Sequence, residues 1–178
     1  LRRMSRRVNR QETEELLAKL RQRIPNLTMR TTFITGFPGE TEEQFATLER
    51  FMREQKFERA GVFTYSSEPG TPAAEFSDPI SDEVKEERRG RLMQAQQDVA
   101  FEWTQRQVGR QIDVILDQPV PEEDNIWLGR SSADAPDVDA AVWGTGGNRK
   151  LSAGRIVTCE VVATQDYDLV AVAIGKPR

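Results

Sequence analysis

The 178-residue chain reads as an α/β part followed by an all-β part, and three observations carry that reading. Up to about residue 107, apolar stripes at helical spacing alternate with short β-branched runs. After Val108-Gly109 the helical pattern stops, and five short β-rich runs succeed one another between turn residues. The change falls where one long helical pattern ends. The expected domains are therefore 1–107 and 108–178.

The elements follow in order. Asn9-Arg-Gln-Glu12 has the form of a capping box, and Leu16, Leu17 and Leu20 continue it as an apolar helical stripe that Pro25 ends. Leu27–Thr35 reads as a buried strand. Thr41-Glu-Glu-Gln44 is a second capping box, with Phe45, Leu48 and Met52 on one face of the helix it opens. Arg59–Tyr65 is the next strand, closed by the turn-rich "SSEPGTP". A long helix is predicted from Ser81 to Gln107, its core face formed by Val84, Leu92, Ala95, Val99 and Trp103. Strands alternating with helices predict parallel βα units. The tail runs "RQIDVILD", "NIWLGR", "AAVW", "RIVTCEVV" and "DLVAVAI" predict a small β-barrel or sandwich.

Composition narrows the function classes. No apolar run approaches the ~18 residues of a membrane span, and the basic N-terminus has no apolar region behind it, as a signal peptide requires. A cytoplasmic protein without membrane contact is expected. With no histidine and one cysteine, Cys159, neither a Ser-His triad nor an internal disulfide is possible within these residues, and no metal ligand set is assigned. The chain opens on Leu1 with a periodic segment already under way, as a piece of something longer would.

The motif that carries most is "TTFITGFPGETEEQF", Thr31–Phe45. Gly36 and Gly39 permit a tight turn and close approach to the backbone, and Pro38 stiffens it. Ligands of βα folds gather at the carboxyl ends of parallel strands, where this turn lies. Glu42 and Glu43 already answer the positive end of the following helix, and no Gly-Lys-Ser/Thr is present, so a phosphate-binding loop is excluded. Taken alone, the stretch is also explained as a well-capped βα turn.

"RTTFITGFPGETEEQF", "GVFTYSSEPGTPAAEF" and "SDEVKEERRGRLMQAQQDVA" resemble, in order and spacing, segments of the radical-SAM methylthiotransferases. The tail "VGRQIDVILD…IWLGRSSADAPDVDAAVW…QDYDLVAV" resembles the TRAM barrel that ends those enzymes. The resemblance covers essentially the whole chain. It implies the C-terminal part of a radical-SAM (β/α) barrel followed by a small antiparallel TRAM β-barrel. "RTTFITGFPGET" and "DAPDVD" favour the branch that methylthiolates an aspartate of a small-subunit ribosomal protein. The alternatives are the tRNA-adenosine branch and a stand-alone RNA-binding TRAM module.

The family implies S-adenosylmethionine and two 4Fe–4S clusters in the full-length enzyme. The cluster cysteines are absent from this chain, so it is expected to be inactive alone. No catalytic residue is assigned. The resemblance places Ile34 and Gly36 along the adenosyl group, with Ile34 as plain strand core the competing reading. Arg30 and Thr32 share Ile34's face by the period of two. An arginine directed into a barrel needs an anion, whereas at the strand's mouth it is simply solvated. Tyr65 is expected either as a wall of the active site or as a buried tyrosine with one hydrogen bond. "LRRMSRR" would be a barrel helix, and its basic cluster with Arg10 would either be solvated or steer an acidic group. The four methionines read as core filler.

Residues 108–178 carry seven Lys and Arg against eleven Asp and Glu, while the remainder is balanced. Phosphate contacts need Lys and Arg, so this acidic barrel is expected to dock a basic ribosomal protein and not RNA. Asp134, Asp137 and Asp139 are the expected partner-binding acids, held apart by an extended loop around Pro136. They lack the order of a calcium loop. The full-length protein is expected to be monomeric.

Overall fold

The structure, a computed structural model, describes residues 3–178. Its elements are α1 (Arg10–Arg23), β1 (Arg30–Thr35), α2 (Glu42–Gln55), β2 (Arg59–Thr64), a 3-10 turn (Pro72–Glu75), α3 (Asp82–Gln105), β3 (Gln111–Pro119), β4 (Ile126–Arg130), β5 (Val142–Thr145), β6 (Ile156–Gln165) and β7 (Asp168–Ala173). Two compact units divide within α3, the first ending at Val99 and the second running Ala100–Arg178.

In the first unit both predicted capping boxes form. The Glu12 amide donates to Asn9 Oδ1 at 3.0 Å, and the Asn9 amide donates to Glu12 Oε2 at 2.8 Å. Thr41 and Gln44 repeat the exchange at the start of α2. Each box satisfies two amides that a helix start otherwise leaves without a partner. β1 and β2 pair in parallel, with Ile34 opposite Phe63 and Arg30 opposite Arg59. One face of the pair is packed, because Phe33 and Val62 join Phe45, Met52, Leu92 and Ala95 beneath α2 and α3.

Two expectations fail in this unit. The segment "LRRMSRR" is not helical over its described part. Ser5 has φ +56°, which breaks a helix, and the Asn9 cap starts α1 only at Arg10. Leu1 and Arg2 lie outside the described residues. The α1 stripe is only partly covered: no residue of the helix is buried, Leu17 and Leu20 are half-buried, and Leu16 is 55% exposed. Val84 and Trp103 of α3 are likewise only half-buried.

The second unit is a closed barrel in the order β3-β4-β5-β7-β6. β6 and β7 alternate outward and inward residues, placing Val157, Cys159, Val161, Leu169, Ala171 and Ala173 in its core. Gly129 has a steric reason: a Cβ there would strike the Ile115 carbonyl of the neighbouring strand. The end of α3 belongs with this unit. Phe101 packs edge-on against Tyr167 at 5.0 Å, and Gln105 donates to Thr164 at 2.5 Å. The barrel is not wholly antiparallel, as β5 and β7 pair in parallel. The chain leaves β5 and returns through β6, so β7 arrives beside β5 in the same direction.

Candidate functional site

The end of β1 is built around one carboxylate. Beyond Thr35 the chain reverses through Gly36 (φ +76°) and Gly39 (φ +78°), a region that side chains with a Cβ rarely adopt. Glu40 Oε1 accepts from Thr35 Oγ1 at 3.0 Å, from the Gly36 amide at 3.1 Å and from Arg88 at 2.7 Å. Arg88 comes from α3 and also donates to the Glu40 carbonyl and to Glu42. The Glu40 and Arg88 side chains are only 12% and 7% exposed. Three donors converge on this carboxylate, as a buried charge pair requires, while Arg88 Nε is buried with no hydrogen-bond partner among the described residues. The Gly39 amide is held separately, by the Asp78 carbonyl at 2.8 Å.

Around this centre the charges are paired. Hydrogen bonding from Arg91, then from Arg88, holds the Glu42 carboxyl below its ordinary range. Arg3 hydrogen-bonds Asp78, lowering that carboxyl and raising its own guanidinium, and it lies over the Phe76 ring at 4.3 Å. Arg10 pairs with Glu14 and Glu54. The N-terminal arginines that were candidates for steering an anion are thus partly committed, and Arg6 and Arg7 remain exposed.

The face of the β1–β2 pair opposite the packed one gathers three of the predicted residues, and Arg59 on it is buried. Arg30, Thr32 and Ile34 all lie on it, with Gly61 and Phe63 of β2 alongside. Ile34 is 44% exposed and Phe63 62%. Ile34 is therefore not plain strand core. Gly36 sits apart from that face. It is buried beneath Lys85, and a Cβ on it would run into the Lys85 stem.

Tyr65 extends the ladder, its amide donating to the Thr35 carbonyl at 2.8 Å. Its ring meets Phe37 edge-on at 5.1 Å, and Phe37 meets Phe76 at 5.9 Å. The hydroxyl is buried with no hydrogen-bond partner among the described residues, so the single bond expected of a buried tyrosine is missing.

In the barrel, the acidic loop is not the extended spacer that Pro136 suggested. The Ala135 amide donates to Asp139 Oδ2 at 2.7 Å, and Ser131 Oγ donates to Asp134 Oδ2 at 2.8 Å. Carboxylates a few residues from free amides capture them, as Asx turns do, and here that local capture wins over an extended loop. Asp137 differs: it is exposed, at φ +60°. A cleft of about 470 Å³ opens between Trp127, Asn125, Arg149 and Lys150. Asn125 donates to the backbone carbonyls of Gly147 and Arg149, and Arg149 Nη2 donates to the Ile174 carbonyl.

Cys159 points into the barrel core, where burial, with Asp113 adding to it, pushes the thiol up to about 11. No group of His, Cys, Asp and Glu that could hold a metal ion occurs among the described residues. No helix there is long and apolar enough to cross a membrane.

Glu40, Phe63 and Arg88 were not predicted from the sequence. Phe63 was findable, since it follows Gly61 on the alternating face of a predicted strand. Arg88 was not, because it lies within "KEERRGR" beside two arginines that remain more exposed.

Residues 108–174 match the family model described as the TRAM domain. Over nearly its whole length the chain is similar to proteins named ribosomal protein uS12 methylthiotransferase RimO. The one from Geobacter sulfurreducens is 45% identical over 98% of this chain and 39% of its own length. That from Desulforamulus reducens is 44% identical over 96% and 38%, and that from Trichlorobacter lovleyi 43% over 99% and 39%. The chain spans less than two fifths of the length of these curated relatives. The resemblance drawn from the motifs is borne out.

Proposed function

We propose that this chain is the C-terminal portion of a RimO-type radical-SAM methylthiotransferase, which adds a methylthio group to an aspartate of the small-subunit ribosomal protein uS12. One observation carries the reading beyond sequence similarity. Arg30, Thr32 and Ile34, three of the five residues expected at the cofactor (with Gly36 and Tyr65), are exposed on one face of a parallel strand pair, beside Phe63. In a soluble protein, neighbouring exposed apolar side chains mark a surface that something covers. Inside a barrel continued by further strands, this face would line the interior.

The residues fit S-adenosylmethionine in kind. Ile34 and Phe63 offer an apolar platform for an adenine ring, Thr32 a hydroxyl, and Arg30 a guanidinium suited to the carboxylate. When bound, the cofactor with the clusters would supply the radical and sulfur chemistry. The residues do not fit a 4Fe–4S cluster, which needs at least three thiolates where the chain has one, in the barrel core. The chain alone is therefore expected to be inactive. We take 1–107 as the barrel part and 108–178 as the TRAM part, in a cytoplasmic, monomeric whole. The acid excess of 108–178 favours a basic protein over RNA as its partner.

The test is a full-length protein carrying this segment, reconstituted anaerobically with iron and sulfide and given S-adenosylmethionine and a low-potential reductant such as dithionite. Presented with uS12 and tRNA in parallel, it should replace one hydrogen by a methylthio group on a uS12 aspartate, read by peptide mass spectrometry. Modification of tRNA adenosine with uS12 untouched would overturn the reading.

A further inference from the structure

We propose that Glu40 and Arg88 are positioning residues for the cofactor. They lock the Gly36–Gly39 turn so that Ile34 and the end of β1 present one fixed surface to the ligand. This rests on the reading above, that the open face of β1 binds S-adenosylmethionine.

The geometry supports a lock, not a simple tether. A single oxygen, Glu40 Oε1, gathers the hydroxyl of the last β1 residue, the amide of the first turn residue and a guanidinium from another element. The Gly36 amide is thereby spent on Glu40 and is not offered to a ligand. Arg88 Nη1 donates to both ends of Glu40, the carboxylate at 2.7 Å and the backbone carbonyl at 3.1 Å, and Nη2 donates to the Glu42 carboxylate at 3.3 Å. A planar fork holds two acceptors at a fixed angle, which an ammonium does not. Its ring contact, 5.2 Å above Phe45, ties the fork to the unit's core. The two glycines would otherwise leave the turn soft, since glycine populates both signs of φ almost equally. A supporting shell of this kind keeps a binding surface within fractions of an ångström of its productive shape.

The test uses the full-length protein carrying this segment, with S-adenosylmethionine affinity measured by equilibrium dialysis and backbone motion by hydrogen exchange. Arg88→Lys keeps the charge and loses the fork. It should weaken cofactor binding on the order of ten-fold, as supporting-shell changes do at metal sites, while exchange at the Gly36 amide accelerates. Glu40→Gln keeps an acceptor at the same place but leaves the buried Arg88 charge only the more exposed Glu42, so binding should weaken, though less than in Glu40→Leu. Glu40→Leu removes the acceptor and should lose binding as Arg88→Lys does; if it does not fold, Arg88→Lys decides. Faster exchange at Gly36 with unchanged cofactor affinity in Arg88→Lys overturns this inference and leaves the cofactor reading standing. Wild-type protein that does not bind S-adenosylmethionine overturns both.

Discussion

Ile34 and Phe63 stand opposite one another in the parallel register of β1 and β2, and both are exposed. Side chains already in water lose little when shortened. Ile34→Thr and Phe63→Ser should therefore change the unfolding free energy of the 178-residue chain by no more than about 0.5 kcal/mol, the usual range for surface sites. In the full-length protein the same changes should weaken S-adenosylmethionine binding. Chemical denaturation of the one and equilibrium dialysis of the other check this. A loss of several kcal/mol in the short chain would mean that the face is packed.

The strand pair has only two members among the described residues, so each strand has one edge with no neighbouring strand. Open edges beside an exposed apolar pair promote association, whereas a closed barrel has no edge. Residues 1–107 expressed alone should self-associate, and residues 108–178 should melt cooperatively as a monomer. Sedimentation and calorimetry read both. A monomeric 1–107 with a sharp melt contradicts the expectation.

Phe101 and Gln105 pack on Tyr167 and Thr164 within the barrel unit. A chain of residues 100–178 should consequently be more stable than one of 108–178. Aromatic edge contacts contribute roughly 0.5–1.5 kcal/mol beyond area burial, so an increase of at least that size is expected in denaturant unfolding. Equal midpoints would show that the helix end contributes nothing.

Cys159 should be inert while the barrel is folded. Its thiol is pushed up to about 11 by burial, from an ordinary value of 9.0. Because the folded value is the higher, the unfolded chain releases its proton first. The stability tied to this group is complete below about pH 9 and is lost as pH rises towards 11. Alkylation by iodoacetamide at pH 8 should follow global unfolding, and the alkaline loss of stability should shrink in Cys159→Ala. Rapid alkylation of native protein would contradict the buried placement.

Much of this was legible because the signals are local. Asn9 with Glu12, and Thr41 with Gln44, announce helix starts through side chains at fixed offsets, and both exchanges are present. The five tail runs alternate in and out as the core requires. What was not legible depends on distant partners. A period of two shows which side of β7 is buried but not its direction, so the parallel β5–β7 pairing left no trace. Arg88 is buried only because Glu40 waits 48 positions earlier, and nothing in its own neighbourhood distinguishes it from Arg89. The stripe on α1 is apolar as read, and its residues are at most half-buried. Pattern gives the preference of a face, and a neighbour must supply the burial.

The acidic loop gives the sharpest test of the partner. Asp139 and Asp134 hold the loop through Ala135 and Ser131, so replacing either disturbs its shape as well as its charge. Asp137 is exposed in the left-handed region, where Asn is as well tolerated as Asp. Asp137→Asn therefore removes a charge and keeps the backbone. In the full-length protein it should leave the melting temperature unchanged and weaken binding to the small-subunit ribosomal protein by up to about five-fold, the upper end for one exposed pair. The loss should come mainly through a slower association rate and should fade as salt rises, since exposed charges are screened beyond ~10 Å at 0.1 M. The triple change of Asp134, Asp137 and Asp139 to Asn should weaken binding further but also lower the melting temperature, because two loop anchors go with the charge. Titration against the ribosomal protein and tRNA at two salt concentrations decides the matter. Tighter binding to tRNA, with no response to Asp137→Asn or the triple change, would reject the acidic loop as a protein-docking element.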